Sequence, residues 1–334
     1  MSVIAERWRR FVAFTEEREP PRVLAVFRIL ITSLLAWTCI DGLRTGVFGV
    51  MWVSRPHGGA VTTGAPTLVR WLGGATPEVV QGLAVATIAA CVATATGRLG
   101  RWPALVAAQT YFALVQINPD TVGGYDALMI NAHWLLFLSG AHEDLRLLGG
   151  APRKALVPAW PRRLLVFQIL VVYGFTGLQK VSPVWLPIGS YSALYWVYQD
   201  PTWRRFDMDW TAPYSPVLAV MTAITWHWEV SAPVLLVWYW ARRRSSRAGE
   251  AASRALRGIA RYDWRKLFLV VGVGLHVGIL LTLDVGPFSL VSMAYYVCFL
   301  TPDDVAQLRR RLARSPRRPE EPALSSPRAG HTRS

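Results

Sequence analysis

The run GFTGLQKVSPVWLPIGS, residues 174–190, closes a strongly apolar stretch on Lys180 and then crowds Pro, Trp and Gly behind it. A lysine in that place has two readings. Its long stem can lie along a helix end with the ammonium among lipid headgroups, or it can be partly desolvated in a cavity and serve as an amine base. Pro183 and Pro187 bend the chain back there, and Trp185 can cap the site. Further on, TWHWEVSAP sets His227 and Glu229 two residues apart, about 200° round a helix, so they face opposite ways and cannot share one metal. An unpaired Glu229 would be protonated, which leaves a neutral or Arg-paired packing residue, a proton relay, or a hydrogen bond to a ligand. His276, in VGVGLHVGILL, lies among Gly272, Gly274 and Gly278, which permit close helix packing. An interhelical hydrogen bond is the simplest use of that imidazole.

These groups need helices in a membrane to position them. Of 334 residues, 52% are hydrophobic and 17% charged, 16 are Trp, and the net charge is +15. A basic balance can signal nucleic acid, but here the arginines alternate with apolar runs, which indicates a bilayer and no nucleic acid. Eight such runs occur, near 23–40, 79–96, 103–117, 127–141, 164–179, 215–240, 267–283 and 287–300. The spacing therefore predicts an all-α, polytopic membrane protein of about eight transmembrane helices. With the amino terminus inside, 29 of the 36 Lys and Arg fall on the cytoplasmic side and four outside, as the positive-inside rule requires. That places the chain in the cell membrane as a multi-pass protein with both termini cytoplasmic. The organisation expected is a basic arm (1–22), a transmembrane domain (23–305) and a basic, disordered tail (306–334). The outer segments 45–78 and 182–214 are expected to hold interfacial half-helices and turns. The inner stretch 242–266 reads as a polybasic loop suited to anionic headgroups, so membrane lipids are expected partners.

Taken by depth, the ionisable groups split into an outer layer (Asp41, Arg44, Asp120, Asp126, Lys180, Asp284) and a mid-depth layer (His133, His227, Glu229, His276). Cys39, Cys91 and Cys298 lie in separate apolar runs without CxxC spacing, which argues against a disulfide framework or zinc site. There is no P-loop, no GxSxG and no HExxH, and the six histidines form no HxxxH box, so no metal site is expected.

Several strings together, PRVLAVFRILITSLL, INPDTVGGYDALM, YGFTGLQKVSPVWLPIG, WEVSAPVLL and LHVGILLTLDVGPFSLVSMAYYVCFL, resemble in this order the horizontally transferred transmembrane (HTTM) family, from about residue 16 to about 305. Its best known member is the vitamin K-dependent γ-glutamyl carboxylase. The resemblance implies that Gly177, Lys180 and Trp185 match the string carrying the base that deprotonates reduced vitamin K. It sets Glu229, with Ser231 and Ala232, where the family has an Asp before Leu-Ser-Ala, and it keeps the spacing of His276, Gly286, Phe288 and Ser289. The implied catalytic set is Lys180, His276 and Glu229, with Trp185, His227 and Tyr173 toward the cofactor. The implied cofactor is reduced vitamin K or menaquinol, with O2 and, in carboxylases, CO2. Quinol oxidation then yields an epoxide and a strong base that can take a proton from a secreted peptide's glutamate. Two features differ from the carboxylases: TVGGYDALM offers no histidine before the fourth helix, and only a basic tail follows residue 305. The family also holds a branch like sporulation-delaying protein B, which implies an alternative role as a non-catalytic accessory protein for peptide maturation or export.

Overall fold

The computed structural model describes residues 3–145, 156–248 and 254–313, and the protein in it is mostly helical. Each of the eight apolar runs is helical. The first, second and fifth form Arg22–Arg44, Pro77–Thr96 and Trp160–Gln179, and the third, fourth and seventh form Trp102–Val115, Gly124–Leu138 and Trp264–Thr282. The eighth is Phe288–Tyr296 followed by a short 3-10 turn. The sixth is broken into Ser215–Ser231 and Val234–Ala248, with Pro233 between them. Proline supplies no amide to the helical ladder and its ring crowds the preceding turn, and the two parts are bent by 48°.

Among the described residues three helical stretches are long and apolar enough to cross a membrane: Arg22–Arg44, Pro77–Thr96 and Arg254–Thr282. The bent pair makes a fourth if it is taken as one span, and Trp102–Val115 is apolar but shorter. Length and composition thus support three or four crossings, where the sequence pattern alone suggested eight. The outward faces carry Leu30, Trp37, Val85, Val92, Phe112, Phe175, Val220 and Val277, all exposed. So wide an apolar surface is costly against water and suits a hydrocarbon solvent.

The first long helix organises the interior. Phe27, Ile31, Leu35 and Cys39 recur at helical spacing and are wholly buried, against Pro77–Thr96, Gly124–Leu138 and Phe288–Tyr296. Tyr295 packs edge-on against Phe27 at 5.2 Å and donates its hydroxyl to the Leu128 carbonyl at 2.7 Å. One end of the bundle is held by arginines. Arg28 donates to the carbonyls of Ala141 (2.5 Å), Leu145 (2.8 Å) and Ala95 (3.2 Å). Arg162 grips Glu19 through two hydrogen bonds of 2.7 and 2.6 Å, and Arg265 pairs with Asp263 and Asp304. Glu17 pairs with both Arg163 and Arg243. A two-residue antiparallel ribbon, Arg18–Glu19 on Val157–Pro158, closes the same end.

Two connecting regions differ from expectation. The polybasic stretch 242–266 is largely helical, because Val234–Ala248 runs on through it and Arg254–Arg261 follows; residues 249–253 lie outside the described residues. Arginine and alanine are good helix formers, so charge alone did not make a loop. Residues 306–313 belong to the helix Pro302–Ala313, capped by the Thr301 and Asp304 side chains, while the rest of the expected tail lies outside the described residues. The opposite end of the bundle matches its expectation more closely. It carries 3-10 turns at Pro183–Trp185 and Pro187–Gly189, a short helix Ala193–Gln199 and a turn Asp209–Tyr214. Asp284 N–H to Trp203 O at 2.8 Å and Arg205 N–H to Thr282 O at 2.9 Å tie this segment to the end of Trp264–Thr282.

Candidate functional site

Lys180 directly follows the last residue of Trp160–Gln179. The helix stops there because Pro183 forces Ser182 toward extended backbone, observed at φ −63°, ψ 141°. The next turn, Pro183–Trp185, folds the indole back over the lysine, with Nζ 4.4 Å from the ring centroid. That is a cation–π contact. The ammonium does not reach outward to solvent: it donates to Glu229, and the two side chains are only 18% and 9% exposed.

Glu229 reaches Lys180 because two helices approach almost backbone to backbone. A Cβ on Gly177 would stand 2.8 Å from Val230 N and 2.9 Å from Glu229 Cβ, and one on Gly174 would stand 2.4 Å from the Pro233 ring. Small residues on a helix face permit this closeness. The sequence pattern put Lys180 in an outer layer and Glu229 at mid-depth, whereas the structure joins them. Glu229 is fourteen residues beyond Ser215, about 21 Å along the helix, so Ser215–Ser231 continues well past the point where Trp160–Gln179 ends. Lysine, and not arginine, is the partner of this glutamate.

A second polar cluster lies on the same helix face as Lys180. Tyr173 is seven residues earlier, two turns or about 10 Å toward the arginine-rich end. Its hydroxyl is 2.6 Å from His276 Nε2 and 2.9 Å from the Tyr296 hydroxyl, and His276 Nδ1 is 3.4 Å from Ser289 Oγ. A consistent set of donors has Tyr296 donating to Tyr173, Tyr173 to Nε2, and Nδ1–H to Ser289. All four side chains are buried. Trp228, next in sequence to Glu229, joins the two clusters: its ring is 4.6 Å from Tyr173 and stacked at 4.6 Å on Phe268, and its Nε1 donates to Phe268 O at 3.0 Å. Of the three glycines near His276 only Gly272 makes a close approach, since a Cβ there would lie 2.5 Å from Tyr296 Oη. Gly274 and Gly278 face open space.

The structure therefore brings Lys180, Glu229 and Trp185 together, and sets Tyr173 and His276 in an adjoining cluster. His227 stands apart. It is exposed on the other side of its helix, against Trp226 at 4.9 Å and Tyr191 at 6.0 Å, with Nδ1 2.8 Å from Ala223 O. His133 is elsewhere in the core, with Nδ1 2.7 Å from Met129 O and Nε2 3.9 Å from Cys91 Sγ. Asp126 caps its own helix, accepting from Gly123 N at 2.7 Å and from the Tyr111 hydroxyl. Asp41 and Arg44 pair with each other at 3.1 Å. Among the described residues no three His, Cys, Asp or Glu side chains converge to hold a metal ion.

Sequence reasoning did not single out Tyr296. The YY pair in an otherwise apolar run was the available signal, because a buried phenol needs a partner. Chemically, a lysine hydrogen-bonded to a carboxylate away from water can exchange its proton within the pair. The flat face of Trp185 beside it can hold a planar ring.

No curated protein and no solved structure matches the chain significantly. The HTTM domain model, however, matches residues 17–245, more than half of the chain, and takes in Tyr173, Lys180, Trp185, His227 and Glu229 while ending short of His276. The chain belongs to the HTTM family of membrane proteins.

Proposed function

We propose that this protein is a multi-pass, vitamin K-dependent γ-carboxylase-like enzyme of the cell membrane. Its reaction is quinol-dependent oxidation or epoxidation, with Lys180 as the base. One observation carries the reading: the Lys180–Glu229 pair is held out of solvent beneath the Trp185 ring. An amine base must shed its proton before it can accept another, and the adjoining carboxylate is the group to receive it. Glu229 is thus the proton acceptor for Lys180, and Trp185 supplies an aromatic face for a ring. Exposed Phe175, Leu178 and Val181 surround this end of the helix with apolar surface, which fits a lipid-soluble ligand arriving from the bilayer. A reduced vitamin K or menaquinol there, with O2, would supply the reducing equivalents and the acidic phenol. His276, oriented by Tyr173 and Ser289, is the second titratable group on the path. The eight helical runs are taken as eight crossings with both termini cytoplasmic, so Lys180 faces the outer side and an outward-facing substrate such as a secreted peptide.

The test is lipid extraction of the purified protein followed by mass spectrometry. Copurified quinone is expected, with quinone epoxide formed in the presence of O2 by wild type but not by Lys180→Ala. Full epoxidation by Lys180→Ala would remove lysine from the reaction. A second reading, a non-catalytic accessory protein for peptide toxin maturation or export like sporulation-delaying protein B, is favoured by one fact: Glu229 already neutralises the ammonium. Absence of quinone together with normal function of Lys180→Ala would select it.

A further inference from the structure

An open cleft of about 480 Å³ lies at the arginine-rich end, far from Lys180. It is bounded by the start of Trp102–Val115, the end of Gly124–Leu138 and the Arg18–Glu19 ribbon. Its walls divide by chemistry. Arg18, Arg101 and His142 provide N–H donors, while Trp102, Leu138 and Leu156 form an exposed apolar lip.

The two arginines differ from their neighbours at this end. Arg22, Arg162, Arg163, Arg243 and Arg265 each meet an Asp or Glu. Among the described residues Arg18 and Arg101 meet no carboxylate, and both are exposed. The Arg101 guanidinium stands over the rings of Trp102 and Phe137 at 5.6 and 5.3 Å, which leaves its edge for an anion. Both backbones are fixed, Arg18 by antiparallel pairing with Pro158 and Arg101 by accepting from Ala104 N at 3.1 Å. Glu143, also in the wall, lies 3.2 Å from the His142 ring. Two exposed arginines on fixed backbones, one of them stacked on aromatic rings, beside an apolar lip match a phosphate whose carrier has an apolar part.

The neighbouring helix Val3–Thr15 indicates where the lip sits. Ile4, Trp8 and Phe11 fall on one stripe and are exposed, flanked by exposed Arg7, Arg9 and Arg10. A short basic helix of this pattern lies in the headgroup plane of a bilayer, and it leads directly to Arg18.

We propose that this cleft is a phosphate-binding site gripped by Arg18 and Arg101, filled by the headgroup of an anionic phospholipid or by a free phosphate ester. The full-length protein in neutral detergent, titrated by thermal unfolding with short-chain phosphatidylglycerol, short-chain phosphatidylcholine and glycerol 3-phosphate, tests it. Saturable stabilisation by phosphatidylglycerol but not phosphatidylcholine is expected. Loss of one charge-assisted contact should weaken it about tenfold, so R18Q/R101Q should weaken it about a hundredfold. R44Q/R70Q, which removes the same charge from the other end, should bind like wild type. An Arg18- and Arg101-dependent response to glycerol 3-phosphate that equals the response to phosphatidylglycerol assigns the site to a soluble ester; response to the lipid alone assigns it to the membrane. Equal stabilisation by phosphatidylcholine, or equal affinity of wild type and R18Q/R101Q for both phosphates, overturns the proposal. Native mass spectrometry of the wild type does not depend on a variant folding. One retained phosphatidylglycerol per chain is expected there, and no preference over phosphatidylcholine also overturns it.

Discussion

Replacing Glu229 with Gln should destabilise the protein far more while Lys180 remains than after Lys180 is gone. The pair is largely out of water, with 18% and 9% of the side chains exposed. At an effective dielectric of 20, two unit charges about 4 Å apart attract by about 4 kcal/mol. Removing one partner of a buried pair costs about 3–5 kcal/mol, because the survivor stays desolvated. The Trp185 ring at 4.4 Å keeps about 0.5–1 kcal/mol of favourable contact with the ammonium. Glu229→Gln should therefore cost about 3 kcal/mol, the lower end of that range. Lys180→Met should cost less, about 1–2 kcal/mol, since a carboxyl left alone can neutralise by binding a proton. The double variant Lys180→Met/Glu229→Gln leaves no charge buried at the pair and should fall within about 1 kcal/mol of wild type, as uncharged replacements of buried pairs do. Reversible unfolding in mixed detergent micelles at all four corners of the cycle gives the coupling, expected at about 3–5 kcal/mol. Additivity within about 0.5 kcal/mol would mean that the two groups do not interact, and the inferred proton exchange between them would fall with it.

Three further outcomes follow from the same geometry. Gly177→Ala would drive a methyl against the Val230 backbone nitrogen, which cannot step aside, so a loss of about 1–3 kcal/mol is expected; repeating the Lys180/Glu229 cycle in that background should show a smaller coupling. Tyr173→Phe leaves His276 and Tyr296 buried without their shared partner and should cost about 1–3 kcal/mol, much of it recovered by adding His276→Leu; no recovery would mean that the loss came from packing. For Asp304, burial raises the carboxyl, but hydrogen bonds from Arg265 and Thr301 outweigh it and hold it at about 2, below the ordinary 3.8. Its contribution is complete above pH 4 and is lost as pH falls through about 2. A dye at Arg310→Cys should gain rotational freedom over that window, and already at neutral pH in Asp304→Asn; constant anisotropy down to pH 2 in the wild type would refute the docking role.

Apolar periodicity made every long helix legible, because burial and lipid exposure both select for it. The sixth run, 215–240, reads in sequence as one helix, and its break was missed although Pro233 in the middle of a 26-residue apolar stretch was the signal for it. The partner of Glu229 was not legible. Position within an apolar run gives depth relative to the ends of that run alone, and translates into a common layer only where neighbouring helices begin and end together. Trp160–Gln179 and Ser215–Ser231 do not, so two groups placed in different layers are in contact. The opposed directions of His227 and Glu229 were legible, because 200° of helical rotation is a local property. The length of an arginine-rich helix was not, since charge predicts which side of a membrane a segment prefers and says little about its backbone.

The contact between Lys180 and Glu229 depends on residues without a charge. With any side chain larger than hydrogen at positions 174 and 177, Trp160–Gln179 could not lie against Pro233 and Val230, and the carboxylate would be held farther from the amine. Without Pro233 the partner helix would run straight on, and its next turn would not wrap around Gly174. The family-like string around Gly177 and Lys180 thus combines two physical requirements: an amine at a helix end, and a gap one turn earlier that lets the carboxylate come close. A lysine serving only to snorkel would need the first and not the second. The glycine one turn before it is therefore the part of the motif that separates a paired, desolvated lysine from an ordinary interfacial one.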